Sequence, residues 1–244
     1  MIKISVGKAP GSVEVADLNH DKFPDLIVAS EQDSNVTILL GSGNARFQQS
    51  KGSPFPAGHM VNDIAIGDFN KDGNPDLAFA NHERKYLTVL LGDGSGAFAS
   101  APGSPFPLEV VPHTHGIATA DFNNDGRLDL VTDSWSTDQI EILFGDSARL
   151  FRTPGTFFKV GRHPYQRIRA ADFNNDHQAD IITTNLEGDN VTILLGDGKG
   201  NFNEAAGSPF SSGDSPFGVA AGDVNADGKP DLAIVNSPAS TADR

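Results

Sequence analysis

Asp68-Phe69-Asn70-Lys71-Asp72-Gly73-Asn74-Pro75-Asp76, followed by the apolar run Leu77-Ala78-Phe79-Ala80, is the stretch on which the reading of this chain turns. Its oxygen-bearing side chains fall at positions 1, 3, 5 and 9, a spacing that lets a tightly wound loop aim alternate oxygens at one hard cation. Calcium suits that set. It takes six to eight oxygens at roughly 2.3–2.6 Å and tolerates irregular geometry, so Asp68, Asn70, Asp72 and Asp76, the backbone carbonyl of Asn74 and water complete a shell. Gly73, at position 6, allows the sharp turn that a side chain would penalise.

The stretch occurs five times, over residues 17–25, 68–76, 121–129, 172–180 and 223–231. The other four sets of candidate ligands are Asp17, Asn19, Asp21, Asp25; Asp121, Asn123, Asp125, Asp129; Asp172, Asn174, Asp176, Asp180; and Asp223, Asn225, Asp227, Asp231. Successive first aspartates are 51, 53, 51 and 51 residues apart, so the chain is an array with a period near fifty. Up to five calcium ions are expected, with the Asp68, Asp121 and Asp223 loops the best. Lys22 and His177 replace glycine in the first and fourth loops, which weakens those sites if the backbone there needs positive φ.

Outward from the loop, each repeat reads as four short strands. A run rich in small residues precedes the loop (Ile64-Ala65-Ile66-Gly67, Ile117-Ala118-Thr119-Ala120). The apolar strand after it reads as buried on both faces. A third strand, such as Val191-Thr192-Ile193-Leu194-Leu195, alternates, which predicts one solvated face. Next comes a glycine turn, as in Gly92-Asp93-Gly94-Ser95-Gly96-Ala97-Phe98, then a looser segment carrying Gly-Ser-Pro-Phe that proline confines to a sheet edge. Four antiparallel strands in about fifty residues make the blade of a β-propeller. The chain is therefore expected to be all-β, one propeller domain over residues 1–244, with four full blades and one split or incomplete blade. Ile4-Ser5-Val6-Gly7 aligns with Phe158-Lys159-Val160-Gly161 and reads as the tail of a fourth strand, while residues 236–244 read as a linker toward a third strand. A piece of a larger propeller accounts for both ends.

The pattern D-F-N-x-D-G-x-x-D-L-A, then V-T-x-L-L-G-D-G-x-G-x-F, resembles the FG-GAP/VCBS repeats of bacterial surface proteins and covers essentially the whole chain. The resemblance implies the calcium-bearing blade found in integrin α heads and some lectins, typically seven to a ring. It also implies a secreted or cell-surface protein for adhesion or for binding carbohydrate or another extracellular protein. It does not name the ligand, because folds of this kind host unrelated functions.

Composition narrows the partners. The five loops hold 15 of the 32 acidic residues, and the remaining 17 are balanced by 18 Lys and Arg, so the net charge of −14 belongs to the loops; five Ca²⁺ would bring it to −4. That balance argues against electrostatic binding of nucleic acid or anionic lipid. No run approaches the eighteen or so apolar residues of a membrane helix, and Met1-Ile2-Lys3-Ile4-Ser5 lacks a signal-peptide core, so either the protein is made without a signal or this is a piece of a longer exported precursor, the reading that the resemblance favours. Zero Cys removes disulfides, thiolate catalysis and Cys-ligated metal.

Catalysis finds little support: no Ser-His-Asp ordering or nucleophile elbow is present, and every dense carboxylate cluster is claimed by a calcium loop. The expectation is a non-enzymatic module, with the propeller part of a polysaccharide hydrolase or lyase, or a spacer without ligand, as alternatives. The repeated phenylalanines (Phe47, Phe98, Phe151, Phe202; Phe69, Phe122, Phe173; Phe55, Phe106, Phe210) read as packing between blades. His113-Thr114-His115 reads as a surface pair, since no third ligand is evident nearby. Sorted by loop, Trp135, Tyr86, Tyr165, His59, His82, His113, His115 and His163 all fall on the face opposite the calcium loops. Trp135, Tyr86, Tyr165, His82, His113 and His115 are the candidate ligand-binding residues.

Overall fold

Every acidic loop proves to be the hairpin between the first two strands of an antiparallel sheet. The computed structural model of the 244-residue chain describes residues 3–109 and 113–237. In the second sheet Val61–Gly67, Asp76–Asn81 and Tyr86–Gly92 run in order, with Gly67 paired to Asp76 across the loop and Leu77 to Leu90. Four sheets follow this plan, Gly145–Asp146 and Leu150–Phe151 form a separate two-stranded ribbon within the third repeat, and the last sheet consists of Pro216–Gly222 and Asp231–Asn236. No helix occurs among the described residues. The first strands of consecutive sheets pack side by side in chain order, so the sheets are the blades of a β-propeller.

The cores lie between blades. One cluster joins Ile27, Ile38 and Phe55 of the first blade to Ile64, Leu77 and Phe79 of the second; others join the second to the third, the third to the fourth and the fourth to the fifth. Stacking covers both faces of the second strands: Asp76–Asn81, Asp129–Ser134 and Asp180–Asn185 are buried at every residue. The phenylalanines bridge the same seams. Phe55 meets Phe98 edge-on at 5.6 Å, Phe69 and Phe106 both meet Phe151, and Phe122 meets Phe202. Phe47 is only half-buried and Phe210 is exposed. Small residues crowd the inner strands as expected: a Cβ on Gly67 would come within 2.4 Å of Leu128.

Two expectations need correction. The third strand has no solvated face: Thr37, Thr88, Thr192 and Glu141 are buried. A blade packs on each side of the second, third and fourth sheets, and the hydroxyls find internal partners, as when Thr88 accepts from Asn81 Nδ2 at 3.1 Å and Thr192 from the backbone of Gly161 at 3.0 Å. The outer segment is also not one strand. In three blades it is two short pieces, such as Phe47–Gln49 and Phe55–Pro56, each pairing with a different part of the third strand. Between them Ser53 Oγ accepts the hydrogen bond of Ile38 N at 2.9 Å, and Ser104 and Ser208 do the same for Val89 and Ile193. At the N-terminus, Ile4-Ser5-Val6-Gly7 joins no strand among the described residues. Gly7 nevertheless packs where its alignment with Gly161 implies, the two lying against Ser30 and Asn185 at the ends of second strands. Of the linker expected over residues 236–244, residues 238–244 lie outside the described residues.

Candidate functional site

The acidic loops are built by their own carboxylates. In the second loop Asp68 accepts from the backbone N–H of Asp72 at 3.1 Å and of Gly73 at 2.9 Å, Asn70 Oδ1 accepts from Asp72 N, and Asp72 Oδ1 accepts from Asn74 N. The other four loops repeat these bonds. Adjacent loops touch, His20 lying 3.2 Å from Asn74 and Asn175 reaching the Gly228 carbonyl, so all five share one face.

Position 9 does more than the spacing suggested. Asp76 is fully buried; Oδ2 accepts from Phe69 N at 2.9 Å, while Oδ1 accepts from Gly92 N, sixteen residues on, at 2.9 Å. Asp25, Asp129 and Asp180 tie their loops to Gly41, Gly145 and Gly196 in the same way. These glycines are obligatory, because a Cβ would come 2.2–2.7 Å from a backbone carbonyl. Burial pushes Asp76 up to about 6 and Asp129 up to about 7, with the backbone amides pulling back and neighbouring loop aspartates adding to the rise. A buried carboxylate held beside two others is a donor set that a divalent cation would relieve, and all-oxygen ligands suit calcium. The residues present therefore fit calcium.

The backbone answers the question about position 6. Its φ is positive in every loop, at Lys22 (70°) and His177 (65°) as at Gly73 (90°), Gly126 and Gly228. Position 4 is also left-handed, at His20, Lys71, Asn124, Asn175 and Ala226, a second strained residue that the sequence reading missed. Lys22→Gly and His177→Gly are each expected to raise stability by up to about 1 kcal/mol, read by urea unfolding with calcium chelated. A loss of stability from both would show that their side chains contribute contacts outweighing the strain.

The opposite face gathers rings from four blades. Trp135 stacks on His163, centroids 5.0 Å apart and planes 20° apart, and meets Tyr165 edge-on at 4.6 Å. His115 packs 4.2 Å from Tyr165 and 4.5 Å from His82, His82 lies 5.0 Å from His113, and Phe217 closes the row against Tyr165. Backbone contacts pin the loops: Trp135 N donates to the His113 carbonyl, Thr114 Oγ1 to that of Asn81, and His163 N to Asp138. Five of the six candidate ligand residues are thus contiguous. Tyr86 is not among them; it begins the third strand of the second blade and pairs with Pro107. Nor are His113 and His115 a surface pair: His115 is 3% exposed, and its pKa is pushed down to about 3 by burial and then by His82 and His113.

Beneath this face the acidic loops do not account for all clustered charge. Asp63, on the inner strand of the second blade, is buried against Arg167 on that of the fourth, with Arg169 Nη1 3.8 Å away. Asp133 Oδ1 accepts from His115 N at 2.7 Å and Gly116 N at 3.1 Å, while Oδ2 is sealed without a partner. Desolvation pushes Asp133 up to about 7, with Asp63 adding to the rise. A folded-state pKa above the unfolded one contributes stability at low pH that is lost as pH climbs through about 7. Relative to Asp133→Asn, the wild type should therefore lose ground between pH 5 and pH 8, as measured by paired denaturant titrations; a pH-independent difference would contradict this.

A family model described as FG-GAP-like repeat matches residues 17–79, 68–132 and 172–234, which together span most of the chain. This chain belongs to the FG-GAP-like repeat family. Cartilage acidic protein 1 of Xenopus tropicalis is 27% identical over 125 residues, half of this FG-GAP chain and 19% of that protein's length, and its mouse counterpart is 26% identical over 133. The FG-GAP chain thus spans about a fifth of the curated relatives it matches. Among solved structures, a functionally unknown protein from Desulfotomaculum acetoxidans aligns with a TM-score of 0.65 at 14% identity, over 90% of this chain and 61% of its own. A chain from the crystal structure of BBS1N in complex with ARL6DN aligns with a TM-score of 0.55 at 16% identity, over 88% and 57%. A thermostable family-43 glycoside hydrolase aligns at 0.53 with 9% identity, over 88% and 81%. Likeness at these identities is likeness of fold.

Proposed function

We propose that this FG-GAP chain is a calcium-loaded recognition module of the cell exterior, without catalytic activity, that binds carbohydrate or an extracellular protein on the face opposite its acidic loops. The observation that carries this reading is the contiguous row of partly exposed rings, Trp135, His163 and Tyr165, carried by the link after Asp129–Ser134 and by the approach to and start of Pro164–Ala171, with hydrogen bonds from Trp135 N and His163 N holding both in place. Flat rings with polar edges, fixed before the ligand arrives, give stacking surface at low entropic cost, the chemistry that sugar rings and protein hot spots use. Calcium, held by Asp68, Asn70, Asp72 and Asp76 and their counterparts, would supply charge compensation and rigidity on the other face. Modules outside the cell bind it at about 10⁻⁴–10⁻³ M, in keeping with an extracellular setting.

Trp135, the sole tryptophan, reports on its own site. A glycan and matrix-protein screen followed by fluorescence titration is expected to yield a ligand that shifts Trp135 emission. Trp135→Ala should weaken that ligand by about 2 kcal/mol or more while leaving calcium-dependent melting unchanged. A ligand that binds Trp135→Ala and Tyr165→Ala as well as wild type would place the site elsewhere.

A further inference from the structure

We propose that His82, His113 and His115 form a binding site for one first-row transition cation of the zinc class, on the face opposite the acidic loops and independent of them. The three imidazoles come from the link after the second strand of the second blade and from the approach to the inner strand of the third, and their donor nitrogens lie within 4.8 Å of one another. His82 Nε2 and His113 Nδ1 are already 3.3 Å apart. Zinc with nitrogens at about 2.0–2.1 Å in a tetrahedron sets them roughly 3.3–3.4 Å apart, so this pair stands at ligation spacing. The third ring needs only a small approach, which the half-buried His82 and His113 supply by rotating toward the fixed, buried His115.

Two further features point to a ligand. Nδ1 of the buried His115 is sealed from solvent without a hydrogen-bond partner, a cost that ring placement alone does not explain. The rings are also held: His115 by Tyr165 at 4.2 Å and through its backbone N–H by Asp133, His113 through its carbonyl by Trp135 N. Imidazole-only donors select zinc, copper or nickel over calcium, while the oxygen-only loops select the reverse, so the two faces sort metals by ligand chemistry. Three protein ligands leave one tetrahedral position open for water or an anionic oxygen donor, and the Trp135 ring lies 5.9 Å from His115 and 6.5 Å from His113.

The test uses the full chain, free of any polyhistidine tag and saturated with CaCl₂. Calorimetric titration with ZnCl₂ is expected to give one ion per chain, Co²⁺ to give the intense visible absorption of tetrahedral coordination, and Cu²⁺ to quench the single tryptophan. His113→Ala and His82→Gln, both outside the core, should each weaken zinc by more than the roughly 10–100-fold that loss of an outer partner costs, whereas His20→Ala and His177→Ala should not. Absence of one-to-one binding, binding that survives both first substitutions, or binding removed by His20→Ala or His177→Ala would overturn the proposal. Glycan binding is read separately, so either result can fail without the other.

Discussion

Melting the chelated protein and then adding 10 mM calcium is expected to raise stability by about 4–8 kcal/mol if the three glycine-containing loops each bind with Kd near 10⁻³–10⁻⁴ M. Three features of the loops lead to this. Each carries carboxylates at positions 1, 5 and 9, the ninth is buried in the second and third loops, and burial there holds Asp129 near 7 and Asp76 near 6. A cation bound only by the folded chain removes that penalty and adds its own binding free energy. For a chain of this length the gain corresponds to roughly 10 °C or more in the melting midpoint. Equal midpoints with and without calcium would end the calcium reading, and the loops would then be turns held by aspartate–amide bonds alone.

Arg167→Ala should be the most damaging single substitution outside the loops, costing about 3–5 kcal/mol. Asp63 is 1% exposed at its side chain, and burial raises its pKa while Arg167 and Arg169 pull it back. Removing Arg167 leaves a carboxylate on the propeller axis with only the more distant Arg169, Ser12 Oγ at 3.5 Å and the backbone of Ile117 at 3.3 Å. Adding Asp63→Asn to Arg167→Ala should restore part of the loss, because the double variant no longer buries an unpaired charge. Denaturant unfolding of the four proteins measures the coupling. Additive losses would mean that Arg167 acts through packing of its stem and not through Asp63.

The blade architecture was legible because it repeats: a loop stated five times at a constant step averages out the ambiguity of any single turn. Burial of the third-strand threonines was not, since alternation reports polarity while stacking between blades decides exposure, and Thr88 and Thr192 satisfy their hydroxyls internally. The double role of the ninth aspartate was present as a constant sixteen-residue interval to a glycine, as in Asp25 to Gly41 and Asp76 to Gly92, a regularity that becomes meaningful once the sheet register is known. The histidine cluster was half visible. Sorting residues by loop placed His82, His113 and His115 on one face, but that His82 supplies the third ring depends on which blades are neighbours. Asp63, Asp133 and Arg167 stand outside the repeat pattern, so periodicity could not reveal them.

The divided outer segment carries a consequence for how such a chain survives in company. The last strand of a sheet normally offers a row of free amides and carbonyls to any passing strand, and a β array with a long outer edge on each blade would risk zipping to its neighbours. In the first, second and fourth blades the outer edge is three residues, a gap containing Gly-Ser-Pro whose serine turns back to fill the ladder from within, and two residues ending in proline or serine. In those three blades no outer piece exceeds three residues, too short to template an incoming strand. Blades built this way can therefore be repeated along a chain without multiplying long open edges.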